Sequence, residues 1–572
     1  MKVCLVNTNV NPGIKDFLRA EVQLGLLYLA AILEKEGHEV EIVDLNIFVI
    51  YEGWPLDGRI FKKAVHMIAR ANPDLIGINT RCDTFPTGIN IARVSKKVLP
   101  EVPVVMGGFH VTFLARETLS EFPFVDFVLR GEAEYSMLEL VSALENKKAL
   151  EEIRGLTFRK NGRIVENPDA KLPENLDLLP MPAYHHYEEQ LGKLARTAHP
   201  EIFINVGRGC PFHCEFCVCH KIYRGKYRLR SPENIIEEIK MLKEKYGILG
   251  FNLGIDHFLV DKKYVRRFCK LLIKKGLNIY WGCNARPEDL DEDLLKLMKK
   301  SGLSGIFFGI ETASHRLQKK IRKNIKLESV LPLIQTCEQI GLVIYLTFVL
   351  GFPDETEEEI NSTLYLALDC STYFRAFVEL HVFSPMAGSV LYDKVKDQLV
   401  WTGLLNDFAE GATSHIPENI RLVKKYPKLF SVFYSPPLRH LSPVLIHEVA
   451  KFYQNTFLHF PLTLKIAFEE LILAPLDFFR LVKKWAKGKK LFKTRVFTPT
   501  HADLLDILPE FLREEYNRKK VSPVFMEIIL RGELNEARKK IKKAKKYTRE
   551  MGVDSSPLLM NEMFGHRLSG DM

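Results

Sequence analysis

Over its first 145 residues the chain alternates short apolar runs with amphipathic stretches. KVCLVN, EVEIVDL, LIGINT, VPVVMGG and FVDFVLRG read as strands, because near-continuous apolar runs of that length suit strands buried on both faces. Between them lie patterns such as GLLYLAAILEKEG, whose apolar spacing is helical and whose Gly37 supplies a stop. This alternation predicts an α/β fold, a doubly wound parallel sheet with helices on both faces. Ligands of such sheets sit beyond the carboxyl ends of the strands. Here those ends are NTNVNP, NTRCDTFPTG, GGFHVTF and RGEAE. Gly107, Gly108 and Gly131 would let the backbone approach a large ligand closely. No GxGxxG occurs, so an ordinary dinucleotide site is not expected.

Residues 150–200 break the rhythm. LTFRKNGRIVENP predicts a hairpin around Asn161-Gly162, and the proline-bearing LDLLPMPAYHHY reads as a connector. Alternation then resumes with IFINVG, GFNLGID, NIYWGCNA, GIFFGIE, VIYLTFVLG and AFVELHVF, separated by helical patterns such as SPENIIEEIKMLKEKYG. Six such repeats predict a partial (β/α)6 barrel with its functional residues at strand carboxyl ends. From about residue 400 the pattern is helical and broken at Pro436, Pro437, Pro443, Pro461 and Pro475. Lys465, Glu469, Glu470 and Asp477 interrupt its apolar run, which argues against a membrane span. A cap over the barrel mouth is expected, with Tyr434, Arg439 or His440 as possible substrate contacts, although aromatics at helical spacing read first as core. The expected divisions are 1–147, 148–197, 198–397 and 398–572.

Charge changes this picture little. The net charge of +10 is exceeded by two basic stretches alone, KKWAKGKKLFKTR at 483–495 and ARKKIKKAKKYTR at 537–549, which hold fifteen basic residues and no acid. They read as solvated helix faces; a membrane surface is the minority reading, and a nucleic acid partner is not expected. Hydrophobic content of 47% with 27% charged residues is globular in type. The start MKVCLVNTNVNP lacks the pattern of a signal peptide, so a cytoplasmic location is expected. In such a compartment clustered thiols favour metal over disulfide.

The clustered thiols lie in GRGCPFHCEFCVCH, residues 207–220. Zinc is one reading, although it would need a fourth ligand from Cys219 or His220, whose closeness makes tetrahedral closure awkward. Three thiolates on one loop also suit a four-iron four-sulfur cluster with one iron left open. The stretch GRGCPFHCEFC, with NLGID, GIETAS and VLGFPDET further along, resembles the radical S-adenosylmethionine (SAM) enzymes. VMGGFHVTF followed by VDFVLRGEAE resembles their cobalamin-binding subgroup, over roughly residues 1–395.

The resemblance implies a front cobalamin-binding Rossmann-like domain, a linker, a radical SAM partial barrel and a helical substrate domain over the four divisions above. It implies that Cys210, Cys214 and Cys217 ligate three irons of a 4Fe–4S cluster, with SAM on the fourth. Phe216, Asp256, Arg286 and Glu311 are then candidates to contact SAM. Asn7, Thr8, Arg81, Cys82, Gly107, Gly108, His110, Gly131 and Glu132 are candidates to contact cobalamin. The Asp-x-His-x-x-Gly signature of another cobalamin family is missing, so no protein histidine on cobalt is expected. Cys219 is read as a bystander thiol, and His257 and Cys283 as barrel residues. The implied activity is methyl transfer from SAM through cobalamin to a carbon of a small molecule or peptide, with an external low-potential electron donor. Ring formation or rearrangement without methyl transfer is the alternative, and a non-enzymatic metal- or cobalamin-binding interaction protein is the third reading.

Overall fold

The structure, a computed structural model, describes residues 1–10, 22–197, 200–406, 408–491 and 496–551, with backbone only over 540–551. Residues 492–495 of the first basic stretch, and the last two residues of NTNVNP, therefore lie outside the described residues. Among the described residues no helix is long and apolar enough to cross a membrane.

The five front strands form as the apolar runs predict: β1 (Lys2–Asn7), β2 (Glu39–Asp44), β3 (Leu75–Asn79), β4 (Val104–Gly107) and β5 (Phe127–Leu129). They pair in parallel in the order β2-β1-β3-β4-β5. Apolar side chains on the two faces enter separate cores, one with Val6, Ile78 and Met106, the other with Val3, Leu5 and Val105. The predicted hairpin forms as β6 (Leu156–Lys160) and β7 (Arg163–Glu166). Both turn residues have positive φ, Asn161 at 49° and Gly162 at 75°, as a tight hairpin requires. The hairpin does not stay in a separate linker. β6 pairs antiparallel with β5 and extends the front sheet to seven strands.

The second sheet is β8 (Glu201–Asn205), β11 (Gly250–Gly254), β12 (Tyr280–Ala285), β13 (Leu303–Glu311), β14 (Val343–Leu350) and β15 (Ala376–Val382), all parallel and in sequential order. This is the open six-stranded barrel that the repeats predict. Its connecting helices carry local stop and start signals. Helix Pro232–Tyr246 begins with proline behind a Ser231 cap and ends at Gly247, which has φ +73°. A two-stranded ribbon, β9 (Gly207–Arg208) with β10 (Arg228–Leu229), brackets the cysteine loop.

An open barrel leaves an edge strand with unpaired backbone groups. At β15 helix Pro443–His459 covers that edge: Gln454 accepts from the Leu380 N–H (2.6 Å) and donates to the Val378 carbonyl (3.2 Å). The expected single cap over 398–572 is thus two regions. Residues from Ala387 to Tyr434 share a core with the front sheet, where Asn419 meets Asn90 and Thr87. The helices from Pro443 onward share the barrel's core. Tyr434 is buried and bonds the Val423 carbonyl, so it is core.

The two sheets are joined by a buried charge network. Arg208 of β9 bonds Glu132 (2.7 Å) and Glu134 (2.5 Å), both just beyond β5, and Arg228 of β10 also bonds Glu132. All four side chains are buried. Burial works against charge on Arg208, but the two glutamates hold its guanidinium protonated more firmly than usual. Burial would raise Glu134, but Arg208 keeps its carboxyl below the ordinary range. Removing one member of such a group strands a buried charge. Arg208→Met should therefore lower unfolding stability by about 3–5 kcal/mol in urea titrations, and Arg208→Met with Glu134→Gln should recover part of that loss.

Candidate active site

The cysteine loop leaves β9 through Gly209. Its φ is +98°, and a Cβ there would stand 1.9 Å from the Lys226 carbonyl oxygen, so only glycine fits. Cys210, Cys214 and Cys217 follow, all half-buried, whereas the other seven cysteines are buried. The loop is pinned from outside. Glu215 donates its N–H to the Ile321 carbonyl and accepts from Leu391 N–H through its own carbonyl. Its buried carboxylate is held by Lys394 at 2.6 Å and Arg322 at 3.4 Å. Phe216 packs against the apolar group of Leu317, Ile321, Phe352, Phe383 and Leu391, with its ring 6.0 Å from Phe352. Glu215 and Phe216 thus anchor the stretch between Cys214 and Cys217, and the three cysteines stay half-buried.

Facing the loop are the ends of successive barrel strands. Asp256 follows β11 and accepts from the Cys219 thiol at 2.8 Å. Arg286 follows β12, lies 3.9 Å over the Phe212 ring and donates to Glu288 at 2.8 Å. Glu311 ends β13 at a register shift, has φ +70° and accepts from Lys323 at 2.9 Å. A positive φ at a non-glycine residue is backbone strain, which persists where the surroundings over-determine it. Burial pushes the Cys217 thiol up to about 12. At Cys214 burial also raises the thiol, while Lys323 and Arg286 draw it back toward thiolate.

These residues fit an iron–sulfur cluster better than a single ion. Among the described residues the only three His, Cys, Asp or Glu ligand atoms within 4.8 Å of one another lie elsewhere. The three thiols are therefore spread more widely than a mononuclear ion needs. Cationic Lys323 and Arg286 suit thiolates that carry a cluster. Glu288 keeps one buried carboxylate oxygen without a partner beside Arg286, a place for a polar ligand group. His257 is buried and bonded to Asp289 at 2.7 Å, and Cys283 is buried in the barrel core.

The front candidates all stand at or near strand carboxyl ends, but they do different things. Asn7 donates to Asp44 at 2.9 Å, and Thr8 donates to the Asn79 carbonyl at 2.8 Å. Gly108, at φ +115°, would put a Cβ 2.1 Å from the Thr80 carbonyl oxygen, so glycine is required there. At Gly107 and Gly131 no atom lies closer than 4.0 Å to where a Cβ would be, which leaves open surface beyond β4 and β5 for a large ligand. Arg81 pairs with Asp83 at 3.0 Å. Cys82 is buried in the front core. His110 is buried and turned toward the Leu429 carbonyl at 2.9 Å, and burial pushes its imidazole down to about 4, so it is neutral. Glu132 is occupied by Arg208 and Arg228. Sequence reasoning missed Arg208, Arg228, Glu134, Lys323 and Glu288, because their partners are distant in the chain or follow a turn with no signature.

A front sheet with open glycine surface, locked to a six-stranded barrel that carries three clustered thiols, is the layout that the resemblance to cobalamin-binding radical SAM enzymes implies. Comparison with known proteins agrees. Residues 204–367 match the radical SAM superfamily and residues 19–141 match the B12 binding domain. An uncharacterized methyltransferase of Pyrococcus horikoshii is 32% identical over 69% of this chain and 83% of its own. An anaerobic magnesium-protoporphyrin IX monomethyl ester cyclase of Rubrivivax gelatinosus is 27% identical over 70% of this chain and 71% of its own. The fold is also that of the cobalamin-dependent SAM radical enzyme OxsB, with TM-score 0.61 and 15% identity over 94% of this chain and 84% of that one. The chain belongs to the cobalamin-binding radical SAM enzymes. Its cofactors are a 4Fe–4S cluster, SAM and cobalamin.

At the end of β14 the buried Glu355 accepts from Gly351 N–H (2.6 Å) and Phe352 N–H (3.2 Å), while its second oxygen has no partner. Burial pushes its carboxyl from 4.5 up to about 8. Between those values the folded chain keeps a proton that the unfolded chain has lost, so stability falls as pH rises. The loss should total on the order of 5 kcal/mol between about pH 4.5 and 8. Glu355→Gln, which mimics the neutral acid, should flatten that part of the profile in urea titrations at successive pH values.

Proposed function

We propose that the protein is a methyltransferase that moves a methyl group from SAM, by way of cobalamin, to a carbon centre of a small molecule or peptide. The observation that carries this reading is the buried Arg208 network. It fixes the open carboxyl end of the front sheet against the ribbon from which the cysteine loop springs. The likeness to the P. horikoshii methyltransferase supports the same reading.

In this proposal Cys210, Cys214 and Cys217 hold the cluster, and Lys323 offsets the charge of their thiolates. Arg286 orients a ligand carboxylate through its planar fork. Glu288, whose free oxygen is buried, and Glu311 receive the ligand's amino or hydroxyl donors. Phe216 gives the loop an apolar footing. The surface beside Gly107, Gly108 and Gly131 carries the corrin, while Asn7, Thr8 and Arg81 shape its rim. Cys82, His110 and Glu132 support that rim from within. When bound, the cofactors supply a carbon radical and a transferable methyl group; the chain's part is orientation and exclusion of water. An external low-potential donor supplies the electrons.

After anaerobic reconstitution, turnover with a competent substrate should yield S-adenosylhomocysteine together with 5′-deoxyadenosine, measured by mass spectrometry. The deoxynucleoside alone would overturn methyl transfer in favour of the cyclisation class to which the R. gelatinosus relative's name points. Cys214→Ala should reduce 5′-deoxyadenosine to the level of cluster-free protein, and Cys219→Ala should leave it within about twofold of the parent.

A further inference from the structure

Away from the cysteine loop, the linker carries two adjacent histidines that the reaction does not use. We propose that His185, His186 and Glu34 form a binding site for a borderline divalent cation of the zinc type, joining the linker to the first front helix. Glu34 lies in the last turn of helix Leu24–Lys35, and the histidines occupy the 3-10 turn Tyr184–Tyr187. The Nε2 atoms of His186 and His185 stand 2.6 and 3.3 Å from the same Glu34 oxygen. One ligand atom from each residue falls within a mutual 4.8 Å.

The convergence is not what the local backbone supplies. Successive residues of a 3-10 turn point about 120° apart, yet these two rings lie together, with centroids 4.4 Å apart and planes at 34°. The turn is held from both flanks. Tyr184 donates to Glu238 of the barrel helix at 2.5 Å, and Tyr187 donates to Asp44 of the front sheet. Ala183 N–H bonds the Leu27 carbonyl at 3.2 Å on the helix that carries Glu34. The three donor groups are therefore presented by a braced frame.

Two imidazoles and one carboxylate are a recognised donor class for zinc, with a fourth position left to water. Metal–ligand bonds of about 2.0–2.1 Å in a tetrahedron put ligand atoms roughly 3.3 Å apart. The His185 contact already has that spacing, and the His186 contact reaches it by opening about 0.7 Å. The side chains are 54%, 15% and 28% exposed for His185, His186 and Glu34, so an ion can enter and keep a water. Chemically, the cation would replace two side-chain hydrogen bonds by a fixed cross-link between the linker and the first front helix.

The test uses the full chain with its iron–sulfur cluster reconstituted, so that the loop thiols are already taken by iron. After anaerobic equilibration with zinc and a weak chelator, elemental analysis should find one zinc more per chain in the parent than in the His185→Asn, His186→Asn double variant. Zinc should also raise the parent's Tm and leave the variant's unchanged. X-ray absorption at the zinc edge should show imidazole and oxygen scatterers without sulfur. Equal zinc content in parent and variant, or a sulfur shell, would overturn the proposal. Should the double variant fold poorly, Glu34→Gln provides the same comparison, and unchanged zinc retention there also counts against the site.

Discussion

Four buried charges decide how the two halves of this protein face each other. Glu132 and Glu134 end the fifth front strand, and Arg208 and Arg228 stand on the ribbon that frames the cysteine loop. Such a group adds little net stability compared with a well-packed apolar patch, because each ion has lost its water. Its strength is directional. A guanidinium fork bonded to two carboxylates tolerates little rotation, so the front sheet's open end and the loop are held in one relative orientation.

The rest of the joint is distributed. Tyr184 and Tyr187, three residues apart, bond opposite halves. On the other side, residues 387–434 leave the barrel's last strand and pack their apolar faces against the front sheet's helices. The chain therefore crosses between halves three times: through the linker, after the barrel's last strand, and again before Pro443. The two halves cannot slide apart without breaking buried polar contacts both at the linker and where Asn419 meets Asn90 and Thr87.

Much of this was legible in the sequence. The eleven parallel strands were readable because strands buried on both faces are nearly continuous apolar runs, and Asn161-Gly162 announced its hairpin by turn chemistry. The cysteine loop stood out by its spacing, but spacing left zinc open, and its reading as a cluster loop came from the family resemblance. Glu132 was expected to meet cobalamin because it follows a strand end, but its partners lie 76 and 96 residues away, and no local pattern reports such a pairing. Lys323 was missed for a similar reason: it follows a short helix and reaches back to Glu311 across a turn. The helical region declared its amphipathic faces without declaring what each would cover, so its division between the front sheet and the barrel appears only in three dimensions.

Gln454 gives the chain's folding an order. The front sheet is complete once residue 166 is made, since its seventh strand is local. The barrel's last strand must wait for a side chain 74 residues further on before its backbone edge is satisfied. During synthesis that edge stays open while the intervening segment docks on the front half. The nascent chain is therefore most vulnerable to intermolecular strand pairing late in translation, after both sheets exist and before the helix that shields the second one has emerged.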